Sequence, residues 1–139
     1  MRQPDEGTQI EAFLAGAPFA VVGASTHRAK YGNKILRCYQ QNERRAIPIN
    51  PRVTQIEGAE VYSSLSLVPE PIHGVSIITP PQVTETVMDE VIELGIRHVW
   101  MQPGAESARA LEKAREAGVN CIAGGACLLV VLGYRERVF

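Results

Sequence analysis

The feature that most constrains this chain is an alternation of short apolar runs with amphipathic stretches, each run cut off by glycine, proline or asparagine. Phe19-Ala20-Val21-Val22 stops at Gly23, Ala46-Ile47-Pro48-Ile49 at Asn50-Pro51, and Gly74-Val75-Ser76-Ile77-Ile78 at Thr79-Pro80-Pro81. His98-Val99-Trp100-Met101 and Val119-Asn120-Cys121-Ile122 follow the same form. Apolar runs this short read as strands covered on both faces. Between them, apolar residues recur at helical spacing over 33–41, 83–94 and 105–117, and Gly95 and Gly118 stand just past the last two stretches. Ile10, Phe13 and Leu14, closed by Gly16, give a further short helix ahead of the first strand. Strands alternating with helices imply right-handed crossovers and a parallel sheet with helices on both faces. The expected fold is a doubly wound, Rossmann-like α/β domain. Residues 1–8 read as a loose polar leader and 60–62 as a minor strand, while 127–132 is apolar and open between helix and strand.

A chain of 139 residues has the size of one domain, spanning 1–139, and its 45% apolar content with a mean hydropathy of −0.04 is ordinary for a globular protein. The longest apolar stretch, at 127–132, falls far short of the roughly 18–20 residues that cross a bilayer. The first six residues lack the apolar core of a secretory signal, so a cytoplasmic location is expected. Fourteen basic and fifteen acidic residues give a net charge of −1, which disfavours a nucleic-acid partner. Cys38, Cys121 and Cys127 show no C-x-x-C spacing and read as small buried hydrophobes rather than disulfides or zinc ligands. No paired His, Asp or Glu spacing suggests a metal site.

In a doubly wound sheet, ligands sit outside the carboxyl ends of the strands. After the first strand comes Gly23-Ala24-Ser25-Thr26-His27-Arg28-Ala29-Lys30-Tyr31-Gly32-Asn33-Lys34. Gly23 permits a tight turn, and the helix beginning near Gly32 points its N–H groups and positive dipole end at the loop. With His27, Arg28, Lys30 and Lys34 in the same segment, a phosphate or pyrophosphate is the expected occupant. The loop is neither G-x-G-x-x-G, because Ser25 holds the second glycine position, nor a P-loop. An NAD-binding fold places an acid at the end of the second strand to meet the ribose diol, whereas here Asn50-Pro51-Arg52 offers a cation that suits a phosphorylated ribose. Thr79-Pro80-Pro81 leaves a flat apolar surface fit for a purine or an apolar arm.

Trp100 reads as core. His73 and His98 stand at strand beginnings, away from the cleft, so only His27 lies near it, and no acid in its loop orients it. Glu85, Asp89, Glu90 and Glu93 read as the wet side of a helix. No catalytic residue is expected.

Gly23-Ala24-Ser25 with Gly32 seven residues on, Ile49-Asn50-Pro51-Arg52, Thr79-Pro80-Pro81, Trp100-Met101-Gln102-Pro103-Gly104 and the late Cys127 together resemble the small stand-alone CoA-binding proteins of bacteria and archaea. More distantly, the sequence is similar to the CoA-binding domain of the succinyl-CoA synthetase α subunit and of ADP-forming acyl-CoA synthetases. The resemblance runs from about Phe13 onward. It implies that Gly23, Ala24, Ser25, Lys34, Asn50, Pro51, Arg52, Thr79, Pro80 and Pro81 line a cleft for coenzyme A or an acyl-CoA, with Gly32 opening the adjoining helix. The family commonly carries a charged pair before the late cysteine and a proline after it; here Gly125-Ala126 and Leu128 stand in those places, which leaves the role of Cys127 open. The synthetases work through a phosphorylated histidine in a following domain, which these 139 residues do not include. The expectation is a CoA-binding module without catalytic machinery of its own. A detached subunit of an acyl-CoA ligase and an NAD(P)-binding redox or sensor domain are the alternatives, and a second copy or a ligase chain are the partners left open.

Overall fold

The computed structural model describes residues 5–136. In chain order the elements are α1 (Glu6–Leu14), β1 (Phe19–Val22), α2 (Tyr31–Gln41), β2 (Ala46–Ile49), β3 (Gln55–Ile56), β4 (Ala59–Glu60), a 3-10 turn (Leu65–Leu67), β5 (Gly74–Ile77), α3 (Pro81–Glu93), β6 (His98–Met101), α4 (Ala108–Glu116), β7 (Asn120–Ile122) and α5 (Leu128–Leu132). Five strands form one parallel sheet in the order β2-β1-β5-β6-β7, the doubly wound α/β arrangement expected from the alternation. The chain leaves β1 for β2 on one side, then returns to place β5 on the other. The strand order therefore reverses between β1 and β5, which opens a crevice above their carboxyl ends.

The two faces of the sheet follow from the alternation of side chains along each strand. Ala20, Val22, Val75, Ile77, Val99 and Met101 pack against Met88 and Val91 of α3 and Ala110 and Ala114 of α4. Phe19, Val21, Trp100 and Ile122 point the other way, onto Phe13 of α1, Ile35 and Leu36 of α2, and Leu128 of α5. On this second face Phe19 is stacked between Phe13 at 5.1 Å and Tyr39 at 4.9 Å, and Phe13 meets the Trp100 ring edge-on at 5.4 Å. The buried Tyr39 hydroxyl and Ser76 Oγ satisfy each other at 2.6 Å. Trp100 is fully buried, as its strand position predicts. Among the described residues, no helix is long and apolar enough to cross a membrane.

Several boundaries differ from the sequence reading, each for a local reason. The Asp5 side chain accepts from the Thr8 backbone N–H at 2.7 Å, so α1 begins at Glu6 and residues 5–8 are its cap and first turn rather than part of a loose leader. The rest of that leader, 1–4, lies outside the described residues. Pro81 opens α3 at its first position, where its missing N–H costs nothing, so the Pro-Pro pair both ends a strand and starts a helix. Ser107 accepts from Ala110 N–H at 3.2 Å and delays α4 to Ala108. The expected strand at 60–62 divides: β4 pairs antiparallel with β3, whereas Tyr62 forms a single bridge to Ile49. The open segment 127–132 is helical from Leu128. Two of the acids read as a wet helix face also hold α4, since Glu85 accepts from Ser107 at 2.8 Å and Asp89 pairs with Lys113 at 2.9 Å.

Candidate functional site

Two glycines allow the loops at the crevice to close. Gly23 holds a φ of +97°, and a Cβ there would come within 2.1 Å of the Ile78 carbonyl oxygen. A Cβ on Gly32 would lie 1.9 Å from the Gly23 carbonyl oxygen. The end of β1, the end of β5 and the first turn of α2 thus meet backbone to backbone, as only glycine permits. The N-cap of α2, Lys30, makes no side-chain capping bond, and its first turn carries no acid. The first residues of that helix, Tyr31 and Gly32, lie at the crevice, where its free N–H groups and positive dipole end are.

Side-chain amides then fix the loops. Asn50 donates through Nδ2 to the Ala24 carbonyl at 2.9 Å and accepts through Oδ1 from the Arg52 N–H at 2.8 Å, which ties the end of β2 to the loop after β1. Asn33 donates to the Ser25 carbonyl at 2.8 Å and to Glu57 at 3.1 Å. Beneath it the buried Arg37 donates to Asn33 Oδ1 at 2.6 Å and to the Arg28 carbonyl at 2.7 Å. Arg28 pairs with Glu57 at 2.6 Å, which fastens the turn between β3 and β4 to the same loop. Ser25 Oγ accepts from the His27 N–H at 3.1 Å and keeps its own proton to donate.

The space these loops enclose is about 610 Å³, within the usual range for a cofactor site. Of the residues predicted from sequence, Gly23, Ala24, Ser25, Gly32, Asn50, Pro51, Arg52, Thr79 and Pro80 all line it. Lys34 and Pro81 do not: Lys34 points 3.9 Å from Glu136, and Pro81 is exposed on the first turn of α3. The structure adds Lys30, Tyr31 and Ile78. Lys30 belongs to the basic segment read from sequence, whereas Tyr31 carried a signal only if α2 was started there. Lys30, ahead of α2, and the exposed Arg52, after β2, both put cations on the cavity wall, and among the described residues no acid lines it. A smaller hollow of about 330 Å³, bounded by Pro103, Gly104 and Ala105, shares Ile78, Thr79 and Pro80 with it and extends the groove toward the end of β6.

The Tyr31 hydroxyl leaves the cavity wall to meet Gln102 Oε1 at 3.2 Å and Cys127 Sγ at 2.6 Å. Burial, and then the bond to Cys127, push its ionisation well above the ordinary tyrosine range. His27 is exposed and contributes only its backbone N–H. His73 and His98 lie at the opposite end of the sheet, stacked at 4.5 Å. His73 Nε2 is 2.8 Å from the Phe13 carbonyl and His98 Nδ1 is 3.1 Å from Asn120 Nδ2.

A family model described as a CoA binding domain matches residues 18–133. Over 119 residues the chain is 25% identical to acetate–CoA ligase [ADP-forming] I of Archaeoglobus fulgidus, and the match covers 78% of this chain but 17% of that protein's length. Among solved structures, a conserved hypothetical protein from Pyrococcus furiosus is similar with a TM-score of 0.77 and 36% identity, covering 81% of this chain and 97% of that one. A hypothetical protein from Pyrococcus horikoshii shares the fold with a TM-score of 0.85 at 24% identity, covering 91% of this chain and 89% of that one.

Proposed function

Because the chain belongs to the CoA-binding domain family, we propose that it binds coenzyme A, free or acylated, in the cavity above the carboxyl ends of β1, β2 and β5. The observation that supports this reading is that Ser25, Lys30, the first residues of α2 and Arg52 all line one cavity, drawn from the loops after two different strands. CoA carries a pyrophosphate and a ribose 3′-phosphate, so two anchors suit it better than they suit NAD, whose ribose diols call for an acid. Ser25 Oγ and the N–H groups of Tyr31 and Gly32 hold the pyrophosphate with Lys30 beside it. Arg52 meets the 3′-phosphate, and Ile78 and Pro80 give the apolar parts a surface without competing donors.

On this reading the chain binds CoA without making or breaking an acyl bond. The cleft offers a hydroxyl, amides and cations for positioning, and among the described residues no carboxylate pairs with His27 to make it a base. The similarity to part of an ADP-forming ligase favours one further reading, a binding subunit that serves catalytic parts on another chain. ATP-dependent acyl-CoA formation by the pure protein would overturn the non-catalytic reading.

Calorimetric titration with CoA and dephospho-CoA at fixed salt tests the assignment. Arg52→Ala weakens CoA by about 10–150-fold, the loss of one charge-assisted hydrogen bond, and leaves dephospho-CoA nearly unchanged. Ser25→Ala weakens both alike by a smaller factor. Equal losses for both ligands in Arg52→Ala would remove the 3′-phosphate role.

A further inference from the structure

Beside the cleft lies a cluster that binding alone leaves unexplained. Cys127 is half-buried just before α5, with Sγ 2.6 Å from the Tyr31 hydroxyl. Its loop is held from two sides by the end of β6: Trp100 donates to the Ala126 carbonyl at 2.9 Å, and Gln102 Oε1 accepts from the Leu128 N–H at 3.0 Å. The Gln102 side chain is fully buried and, among the described residues, its Nε2 has no hydrogen-bond partner. Exchanging its amide oxygen and nitrogen gives no relief, because two N–H groups would then face each other at Leu128. An orphaned buried amide marks a place where an acceptor belongs. Tyr31 joins this cluster to the cavity: one side of the residue lines the wall and its hydroxyl touches the sulfur.

We propose that Cys127 exchanges disulfides with CoA, taking CoA disulfide as substrate and holding CoA as a mixed disulfide. This rests on the CoA reading of the cleft. In the step, Cys127 gives up its thiol proton and its sulfur attacks one sulfur of the CoA disulfide. A bond forms between Cys127 and that CoA, the original S–S bond breaks, and the departing CoA thiolate takes a proton. The protein thiol is oxidised and one CoA is reduced, so no other oxidant enters. The single Tyr31 hydroxyl proton has two acceptors, Gln102 Oε1 and Cys127 Sγ. With the thiol protonated it rests on Gln102; once the thiolate forms it turns to the sulfur and stabilises the charge. Tyr31 is thus a positioning residue for the sulfur. Neither other thiol competes. Cys38 and Cys121 are buried, and burial pushes them up to about 11 and about 12.

Intact-protein mass spectrometry of the reduced full chain with CoA disulfide tests this, beside calorimetry with CoA itself. The expected result is one adduct, gained in a saturable reaction about 10- to 100-fold faster than with glutathione disulfide, since bound ligand presents its sulfur at raised effective concentration. Desulfo-CoA slows it, Cys127→Ser removes it, and Tyr31→Phe lowers the rate at saturating disulfide by about tenfold, the loss of one hydrogen bond to a charged sulfur. Equal rates with glutathione disulfide, or no adduct on a chain that binds CoA, would overturn the exchange and leave the binding reading standing. A chain that binds no CoA would overturn both.

Discussion

The two ends of the sheet are built on opposite plans. At the carboxyl end, loops approach backbone to backbone through Gly23 and Gly32, and their cations and helix N–H groups face a cavity. At the amino end, side chains fill the space and satisfy one another. The His73 ring lies where a Cβ on Gly16 would stand 2.4 Å away, and it stacks on His98. Asn120 donates to the Gln9 carbonyl at 3.0 Å, Gln9 to the Cys121 carbonyl at 3.2 Å and Arg44 to the Leu14 carbonyl at 2.7 Å, which fastens α1 to the sheet. Crowding against backbone cannot relax, whereas crowding against a side chain can. The closed end therefore serves stability, and the open end leaves room for the proposed CoA at some cost in tolerance to change.

Alanine at the two kinds of glycine gives the largest contrast. Gly32→Ala drives a methyl into a carbonyl, an overpacking that costs about 1–3 kcal/mol or more, and it pushes the α2 N-terminus off the cavity. Gly16→Ala displaces the His73 ring and costs less. Thermal denaturation with CoA titration should show Gly32→Ala losing both stability and affinity, and Gly16→Ala keeping its affinity. Equal loss of affinity in the two variants would break the contrast.

A finer comparison uses two asparagines that each join separate segments. Asn50→Ala removes two hydrogen bonds and Asn120→Ala removes one or two, each worth about 0.5–1.5 kcal/mol. Urea denaturation should register a loss in both. Only Asn50→Ala should weaken CoA, because it frees the end of β2 from the loop after β1. Should Asn120→Ala weaken CoA as much, the division between ends would not hold.

The smallest effect is in pH. Burial first, then the neighbouring His73 and Arg97, hold His98 below the ordinary histidine range. The unfolded chain thus binds a proton more readily than the fold at this position, so stability rises with pH through that window. The contribution of neutral His98 is present above about pH 6.5 and is lost as the pH falls from there toward the lower folded value. Urea midpoints between about pH 5 and 8 should fall on the acid side and flatten in His98→Gln. An unchanged acid limb in that variant would remove His98 as its source.

How much of this was legible in the sequence divides along the same physical lines. Strands such as Phe19–Val22 were plain because complete burial on both faces demands a continuous apolar run. The loop residues of the cavity were legible because Gly23, Asn50-Pro51-Arg52 and Thr79-Pro80 stand where strands end. Tyr31 was not singled out since a helix whose N-cap makes no side-chain bond leaves no mark of where it starts, and Lys34, a few residues further along α2, lies off the cavity wall near Glu136. The links among Asn33, Glu57, Arg28 and Arg37, and the buried amide of Gln102, depend on tertiary neighbours that no local spacing encodes. Strands of two residues, as in β3 and β4, are too short to carry a period at all.

The most direct test of the central claim is a thermal-shift series on the intact chain with CoA, dephospho-CoA and NAD at matched concentrations. The proposed binding of CoA across Lys30, the α2 N-terminus and Arg52 predicts that CoA at 100 times its Kd stabilises the fold by about 2.7 kcal/mol. Dephospho-CoA should give a smaller shift at the same concentration, and NAD none. Equal shifts with NAD and CoA would contradict the account.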